Sequence, residues 1–121
     1  MTTEELINEG IVKEEAIGYL KSAFNLQQGK LIMTNKRLYL TAHKTTVGGG
    51  GILGAFLKSK VEAVNEVFNL EYTVIGSIVR GKHGLQTNVL DITDKQNNNY
   101  RIIVKNFQEW EDALKNKLKT T

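Results

Sequence analysis

The chain has 121 residues, of which 40% are hydrophobic and 24% are charged. These values are ordinary for a folded domain and exclude a fibrous repeat or a disordered chain. A net charge of +3 is too small to indicate a nucleic-acid binder, because such proteins usually concentrate basic residues on one face. We therefore expect a single domain over residues 1–121 and no nucleic-acid partner.

The absence of cysteine excludes disulfides, thiolate metal ligands and a cysteine nucleophile. No apolar run approaches the ~18 residues that span a bilayer. The first five residues, MTTEE, lack the basic flank and apolar stretch of a secretory signal. We therefore expect a cytoplasmic protein without a cofactor or metal, with peripheral attachment to a membrane as an open alternative.

The N-terminal segment predicts a short helix followed by a strand. Thr2 and Glu5 have the three-residue spacing of a capping box, in which two side chains reciprocally cap free backbone amides. Apolar and aromatic residues then favour a first strand over residues 16–24, with Gly18 as a bend.

Residues 29–44 predict a β-hairpin. Its alternating apolar positions, two on one face of each strand, are Leu31, Met33, Leu38 and Leu40. Residues 34–37 form the polar reversal between the strands. We expect Asn35 to adopt the left-handed backbone conformation there, because asparagine tolerates it best among these residues.

A glycine-rich insertion at about residues 46–60 follows the hairpin. Its four consecutive glycines favour a flexible loop. A phosphate-binding loop would need a lysine and a hydroxyl after the last glycine, but Ile52 follows it. Apolar residues then recur at spacings of three and four, which predicts a short amphipathic helix. These residues are Leu53, Phe56, Leu57, Val61 and Val64.

The second half of the chain predicts further strands and a second hairpin. Strand character covers residues 67–72 and 74–82, and residues 82–84 form the next reversal. The polar residues 94–99 form a turn between two alternating runs. The apolar positions of those runs are Leu90, Ile92, Tyr100, Ile102 and Val104.

The C-terminal segment predicts an amphipathic helix. Asn106 is placed to cap it, and Glu109 completes a capping box three residues later. Its apolar stripe consists of Phe107, Trp110, Leu114 and Leu118.

The order of elements and the phrase GKLIMTNKRLYL at residues 29–40 resemble the GRAM branch of the pleckstrin-homology (PH) superfold. Members of that branch carry a similar phrase of the form G-x-L-x-x-T-N-x-R-L. Residues 75–80 and 104–114 also resemble family segments. The resemblance is to small single-domain members of bacterial type. It implies a mainly β fold, a PH-like barrel of about seven antiparallel strands in two sheets, closed by a C-terminal helix.

The resemblance also implies a ligand, since many members bind a phosphoinositide through a lysine and a basic-x-arginine pattern. Lys21 and Lys30 match the first two of these positions, but Ile32 stands where the arginine is expected. Multidentate phosphate binding uses the forked donors of arginine. We therefore do not expect specific inositol-phosphate recognition.

Two surfaces are candidate sites. The first is the insertion, whose membrane or partner contacts would be Ile52, Leu53, Phe56, Leu57, Lys58 and Lys60. The alternative, which we favour at this point, is that the same residues cover an open edge or end of the barrel or form a homodimer contact. The second is an anion rim formed by Lys36, Arg37, Arg80, Lys82 and His83, if their strand ends meet. Charges at strand ends also serve to protect sheet edges.

The function expected from these features is a non-enzymatic interaction module that binds a protein partner or an anionic membrane surface. A lipid-headgroup or anion-binding domain is one alternative, and a small hydrolase or isomerase is another. No catalytic residue is predicted, because His43 and His83 lack a visible nucleophile or metal partner.

Overall fold

A computed structural model describes residues 2–22, 25–43 and 64–119. Its elements, in chain order, are α1 (Thr3–Glu9), β1 (Ile11–Ser22), β2 (Asn25–Thr34), β3 (Arg37–His43), β4 (Val64–Glu71), a 3-10 turn (Tyr72–Val74), β5 (Ile75–His83), β6 (Gln86–Asp94), β7 (Asn99–Ile103) and α2 (Phe107–Lys119). Neither helix of this described part is long and apolar enough to cross a membrane.

The strands form one curled, half-barrel sheet in the order β4-β3-β2-β1-β7-β6-β5, and every neighbouring pair is antiparallel. β1 pairs with β2 along its length and with β7 only from Gly18 to Leu20. This short second pairing joins β1–β4 to β5–β7. The prediction of about seven antiparallel strands is confirmed, whereas a division into two sheets is not.

The β2–β3 hairpin is confirmed, but a different residue makes its turn. The Thr34 hydroxyl oxygen accepts the backbone N–H groups of Lys36 and Arg37, both at 3.1 Å. Among the described non-glycine residues, only Asn97 has a positive φ, of 70°. The prediction of a left-handed Asn35 was therefore wrong, because the Thr34 side chain already satisfies the turn amides.

Two boundaries differ from the predicted ones because pairing between strands decides them. β1 begins at Ile11 and not at residue 16, since Ile11 pairs with Thr34 of β2. The predicted helix around residues 53–64 lies outside the described residues except for Val64, which begins β4.

The core lies between the concave face of the sheet and α2. The predicted apolar faces of both hairpins and the stripe of α2 are confirmed, and their most buried members, each 0–1% exposed, are Leu31, Met33, Leu38, Leu40, Leu90, Ile92, Ile102, Trp110 and Leu114. Asn106 caps α2, since its Oδ1 accepts the N–H of Glu109 at 3.3 Å. The hydrophobic stripe therefore fixes which side of α2 faces the sheet.

Glu15 of β1 holds the start of α2 against the sheet. Its Oε1 accepts the indole N–H of Trp110 at 3.1 Å, and its Oε2 accepts the backbone N–H of Lys105 at 2.7 Å. Trp110 is fully buried, so its indole N–H has no access to water as a substitute partner. The carboxylate is thus the polar anchor of an otherwise apolar contact.

We predict that Glu15→Ala lowers the free energy of unfolding by about 1–3 kcal/mol, because it leaves a buried donor unsatisfied. Glu15→Gln should cost less, since it retains one acceptor oxygen. Urea unfolding followed by Trp110 fluorescence measures both. The control is Glu14→Ala, which removes an exposed carboxylate 3.3 Å from Lys30 and should cost under about 0.5 kcal/mol. Equal losses in the Glu15→Ala and Glu14→Ala variants would contradict the anchoring role.

Candidate functional site

A groove opens where β1 and β7 separate. Their pairing ends at Gly18 and Ile103, and the N–H of Val104 donates to the carbonyl of Asn88 at 2.9 Å. The chain thus turns away from β1 toward α2. The groove has a volume of about 610 Å³, and it is lined by Glu15, Ala16, Ile17, Gly18, Leu26, Gln27, Gln28, Ile103, Val104 and Lys105. Its volume is in the range of small-ligand sites.

Gly18 makes room for the side chain of Leu26 over β1 in the groove. A Cβ atom there would lie 3.0 Å from Leu26 Cδ1 and 3.7 Å from Ile103 Cβ. The missing side chain lets the two apolar residues approach one another across the strand. Leu26 nevertheless stays 49% exposed, so the groove offers apolar surface to the solvent.

The polar residues of the groove differ in their hydrogen bonding and exposure. Glu15 is occupied by Trp110 and the backbone of Lys105. Gln28 and Lys105 are exposed at the rim. The groove therefore offers an apolar surface with an amide and a cation beside it, which suits a ligand with an apolar part and a polar or anionic end.

The predicted anion rim is distributed over two places. Lys36 and Arg37 lie at the β2–β3 turn, whereas Arg80, Lys82 and His83 lie in the second half of β5, next to the β5–β6 turn. The 3-10 turn, not this end of β5, contacts the β2–β3 turn, through hydrogen bonds from the Tyr72 hydroxyl. One anion site shared by all five residues stays a prediction.

Arg37 is engaged inside the protein. Its Nη2 lies 2.9 Å from Glu9 Oε2, its Nε donates to both oxygens of that carboxylate, and its Nη1 donates to Asn69 at 2.8 Å. Burial opposes ionisation of Glu9, but hydrogen bonds from Arg37 and Thr34 and the charge of Arg37 hold its pKa below the usual value. Arg37 therefore has few donors left for a ligand.

Arg80 is also engaged, at the start of α2. Its Nε donates to the carbonyl of Thr87 at 2.8 Å, and its guanidinium carbon lies 5.2 Å from the ring centre of Phe107. This geometry is a cation–π contact. Arg80 thus has a structural role independent of any anion.

The structure explains why Ile32 stands where the resemblance leads one to expect an arginine. Ile32 is 8% exposed and forms a small apolar cluster with Leu6 of α1 and Tyr39 of β3. A charged guanidinium would be poorly solvated there. The neighbouring Lys30 pairs with Glu14 at 3.3 Å.

The predicted contact residues of the insertion lie outside the described residues, and their role stays a prediction. The described strands nevertheless show where that segment begins and ends. β3 ends at His43, which pairs with Val64 at the start of β4. Ala42 pairs with Gly29, and the residue before Gly29 is Gln28 of the groove. The insertion therefore leaves the sheet close to one wall of the groove.

The groove itself was not predicted from the sequence. The sequence features that could have indicated it are the apolar residues Ile103 and Leu26. Ile103 lies between the inward-facing Ile102 and Val104, so strand alternation turns it outward. The meeting of β1 and β7, however, joins residues more than 80 positions apart. Within the described ranges, no three His, Asp or Glu side chains gather to hold a metal ion.

Solved structures with a similar fold exist, although no protein-family model and no curated protein matches the chain. The crystal structure of the C-terminal domain of an unknown protein from Leishmania infantum is similar, with a TM-score of 0.63, 16% identity, and coverage of 95% of this chain and 89% of that one. The Slm1 PH domain, crystallised with phosphoserine, is similar with a TM-score of 0.54, 15% identity, and coverage of 92% and 97%.

The curled antiparallel sheet, the C-terminal helix and the likeness to a PH domain define the class of this chain as a PH-like fold. At these identities the likeness concerns the fold alone. One fold serves many functions, so the fold by itself does not define the function of this chain.

We predict that Glu9→Gln destabilises the protein in a pH-dependent way. The folded-state pKa of Glu9 lies below its usual value of 4.5, so the ionised carboxylate stabilises the fold above about pH 4.5 and loses this effect as the pH falls through the folded-state pKa. The variant should lose about 1–3 kcal/mol at pH 7.

Urea unfolding at a series of pH values measures the difference between wild type and Glu9→Gln, which should shrink below pH 4.5. Glu4→Gln, an exposed change in the same helix, is the control and should alter stability by under about 0.5 kcal/mol. A difference that stays constant down to pH 2 would argue against the ion pair as its cause.

Proposed function

We propose that the chain is a non-enzymatic binding module of the GRAM branch, recruited to an anionic membrane surface through the groove and the adjoining insertion. The observation that carries this proposal is their adjacency. The chain leaves the sheet after His43, at the end of β3. The preceding residue, Ala42, pairs with Gly29, which follows the groove residue Gln28. The chain therefore enters the insertion beside the groove, which supports a surface formed by both.

The chemistry of both features suits a membrane interface. The insertion contributes Ile52, Leu53, Phe56, Leu57, Lys58 and Lys60. Apolar side chains enter the boundary between headgroups and acyl chains, while lysines attract anionic headgroups. Leu26 and Lys105 of the groove repeat this combination in the described part of the fold. Binding is favoured over a hydrolase or isomerase, because no convergent set of catalytic side chains lines the groove.

We predict that changing Leu53 and Phe56 together to Asp abolishes sedimentation with liposomes that contain phosphatidylserine, because two charges would have to enter the interface. The circular dichroism spectrum and the melting temperature should stay unchanged. Unfolding of the double variant would show instead that the two residues belong to the core. If wild-type protein sediments with no liposome of any composition, the membrane proposal fails and a protein partner becomes the better proposal.

We also predict that Leu26→Asp weakens liposome binding by about tenfold, since it places a charge in the apolar part of the groove. Leu85→Asp is the matched control, because Leu85 is fully exposed in the β5–β6 turn and away from the groove. Both variants are first checked for native Trp110 fluorescence. Equal affinities of Leu26→Asp and Leu85→Asp would remove the groove from the binding surface.

A second candidate function is recognition of a soluble phosphorylated group. It is favoured by the likeness to a PH domain crystallised with phosphoserine. Lys82 and His83, beside the β5–β6 turn, are the basic residues we assign to such a group. Titration with free phosphoserine should then shift the amide resonances of those residues and not those of Gly18 and Ile103. The opposite pattern would place an anion in the groove.

A further inference from the structure

The N-terminal helix α1 is attached to the sheet through few side chains. Leu6 is its one buried residue, 3% exposed, and it packs on Ile32 and Tyr39 in a cluster separate from the main core. A helix of seven residues is too short to be stable alone. α1 therefore depends on this acceptor surface for its own folding.

The second attachment is the carboxylate of Glu9. It accepts the Thr34 hydroxyl at 2.8 Å and the guanidinium of Arg37, while the side-chain amide of Asn35 donates to the Glu9 carbonyl at 3.1 Å. Leu6 and Glu9 are three positions apart, so both lie on the same side of α1. The acceptor surface thus recognises a helical turn with a leucine followed by a glutamate three residues later.

Gly10 alone connects α1 to β1. Its φ is 84° and its ψ is 97°, a conformation that residues with a side chain rarely adopt. A Cβ atom at this position would also displace the side-chain amide of Asn35, which donates to the Glu9 carbonyl. The docked position of α1 thus requires glycine at the hinge, whereas an extended hinge would accept any residue.

We propose that two copies of the chain exchange their α1 helices, each helix docking on the acceptor surface of the other copy. A second copy presents the same leucine and glutamate by definition, and the exchange is symmetric, as a twofold interface requires. Three of the exposed large apolar residues in the described part of the chain, Ile7 (59%), Ile11 (37%) and Val12 (51%), lie beside the hinge. The two hinges lie side by side in an exchanged dimer, so we expect the new contacts between the copies to involve these three residues.

The contacts of α1 are the same in the closed monomer and in the exchanged dimer, so only the hinge and the new contacts around it differ. At low concentration the monomer is favoured, because its own α1 has a high effective concentration. Glycine adopts the closed hinge with little strain, so the wild-type chain exchanges only at high concentration. A side chain at position 10 would strain the closed hinge and so lower the concentration at which the dimer forms.

The test is Gly10→Ala in the full chain. Strain in the closed hinge and its release in the dimer predict that the variant dimerises at about tenfold lower concentration than wild type, or lower still. Gly84→Ala is the matched control. Gly84 also has a positive φ, of 61°, but nothing lies within 4 Å of a Cβ atom there and no helix depends on it. This control should dimerise no more readily than wild type.

Size-exclusion chromatography with light scattering measures the mass, and isotope-filtered NOEs in a mixed labelled and unlabelled sample show whether Leu6 contacts Tyr39 of the other copy. A folded Gly10→Ala monomer, or a dimer without such intermolecular NOEs, overturns the proposal. If Gly10→Ala fails to fold, wild type at about 1 mM takes its place. Intermolecular NOEs support the exchange there, and their absence refutes it.

Discussion

The fold depends on the double pairing of β1. Along one edge β1 pairs with β2, and along the other it pairs with β7 over the three residues Gly18 to Leu20. This brief contact makes a single curled sheet from four N-terminal and three C-terminal strands, and it gives α2 a concave face to fill. Because the contact is so short, the strands separate beyond Gly18, and the groove is a direct consequence. Glu15 bridges the separation to Trp110 and Lys105.

The residues that carry the resemblance to the GRAM branch are largely used for internal contacts. Thr34 closes the β2–β3 turn, and Arg37 binds Glu9. Ile32 lies under α1 with Leu6. Arg37, one of the residues predicted for an anion rim, thus fastens the N-terminal helix to the sheet, and the binding surface that we propose lies at the groove and the insertion.

The two proposed interaction surfaces lie at opposite ends of β2. The groove uses Leu26, Gln27 and Gln28 at its beginning, whereas the acceptor surface of α1 uses Ile32 and Thr34 at its end. Neither surface shares a residue with the other. Exchange of α1 would therefore leave the groove open, and a dimer would present two copies of the same binding surface. Two linked sites bind an extended surface more strongly than one.

The sequence by itself determined the elements whose signals are local. The Thr2 cap, both hairpins and the apolar stripe of α2 followed from spacing and alternation, because those patterns depend on neighbours within a few residues. Only the tertiary structure decided the start of β1, the groove and the Glu9–Arg37 pair. Each of these three features joins residues that are distant along the chain. Local periodicity carries no information about which distant residues come into contact.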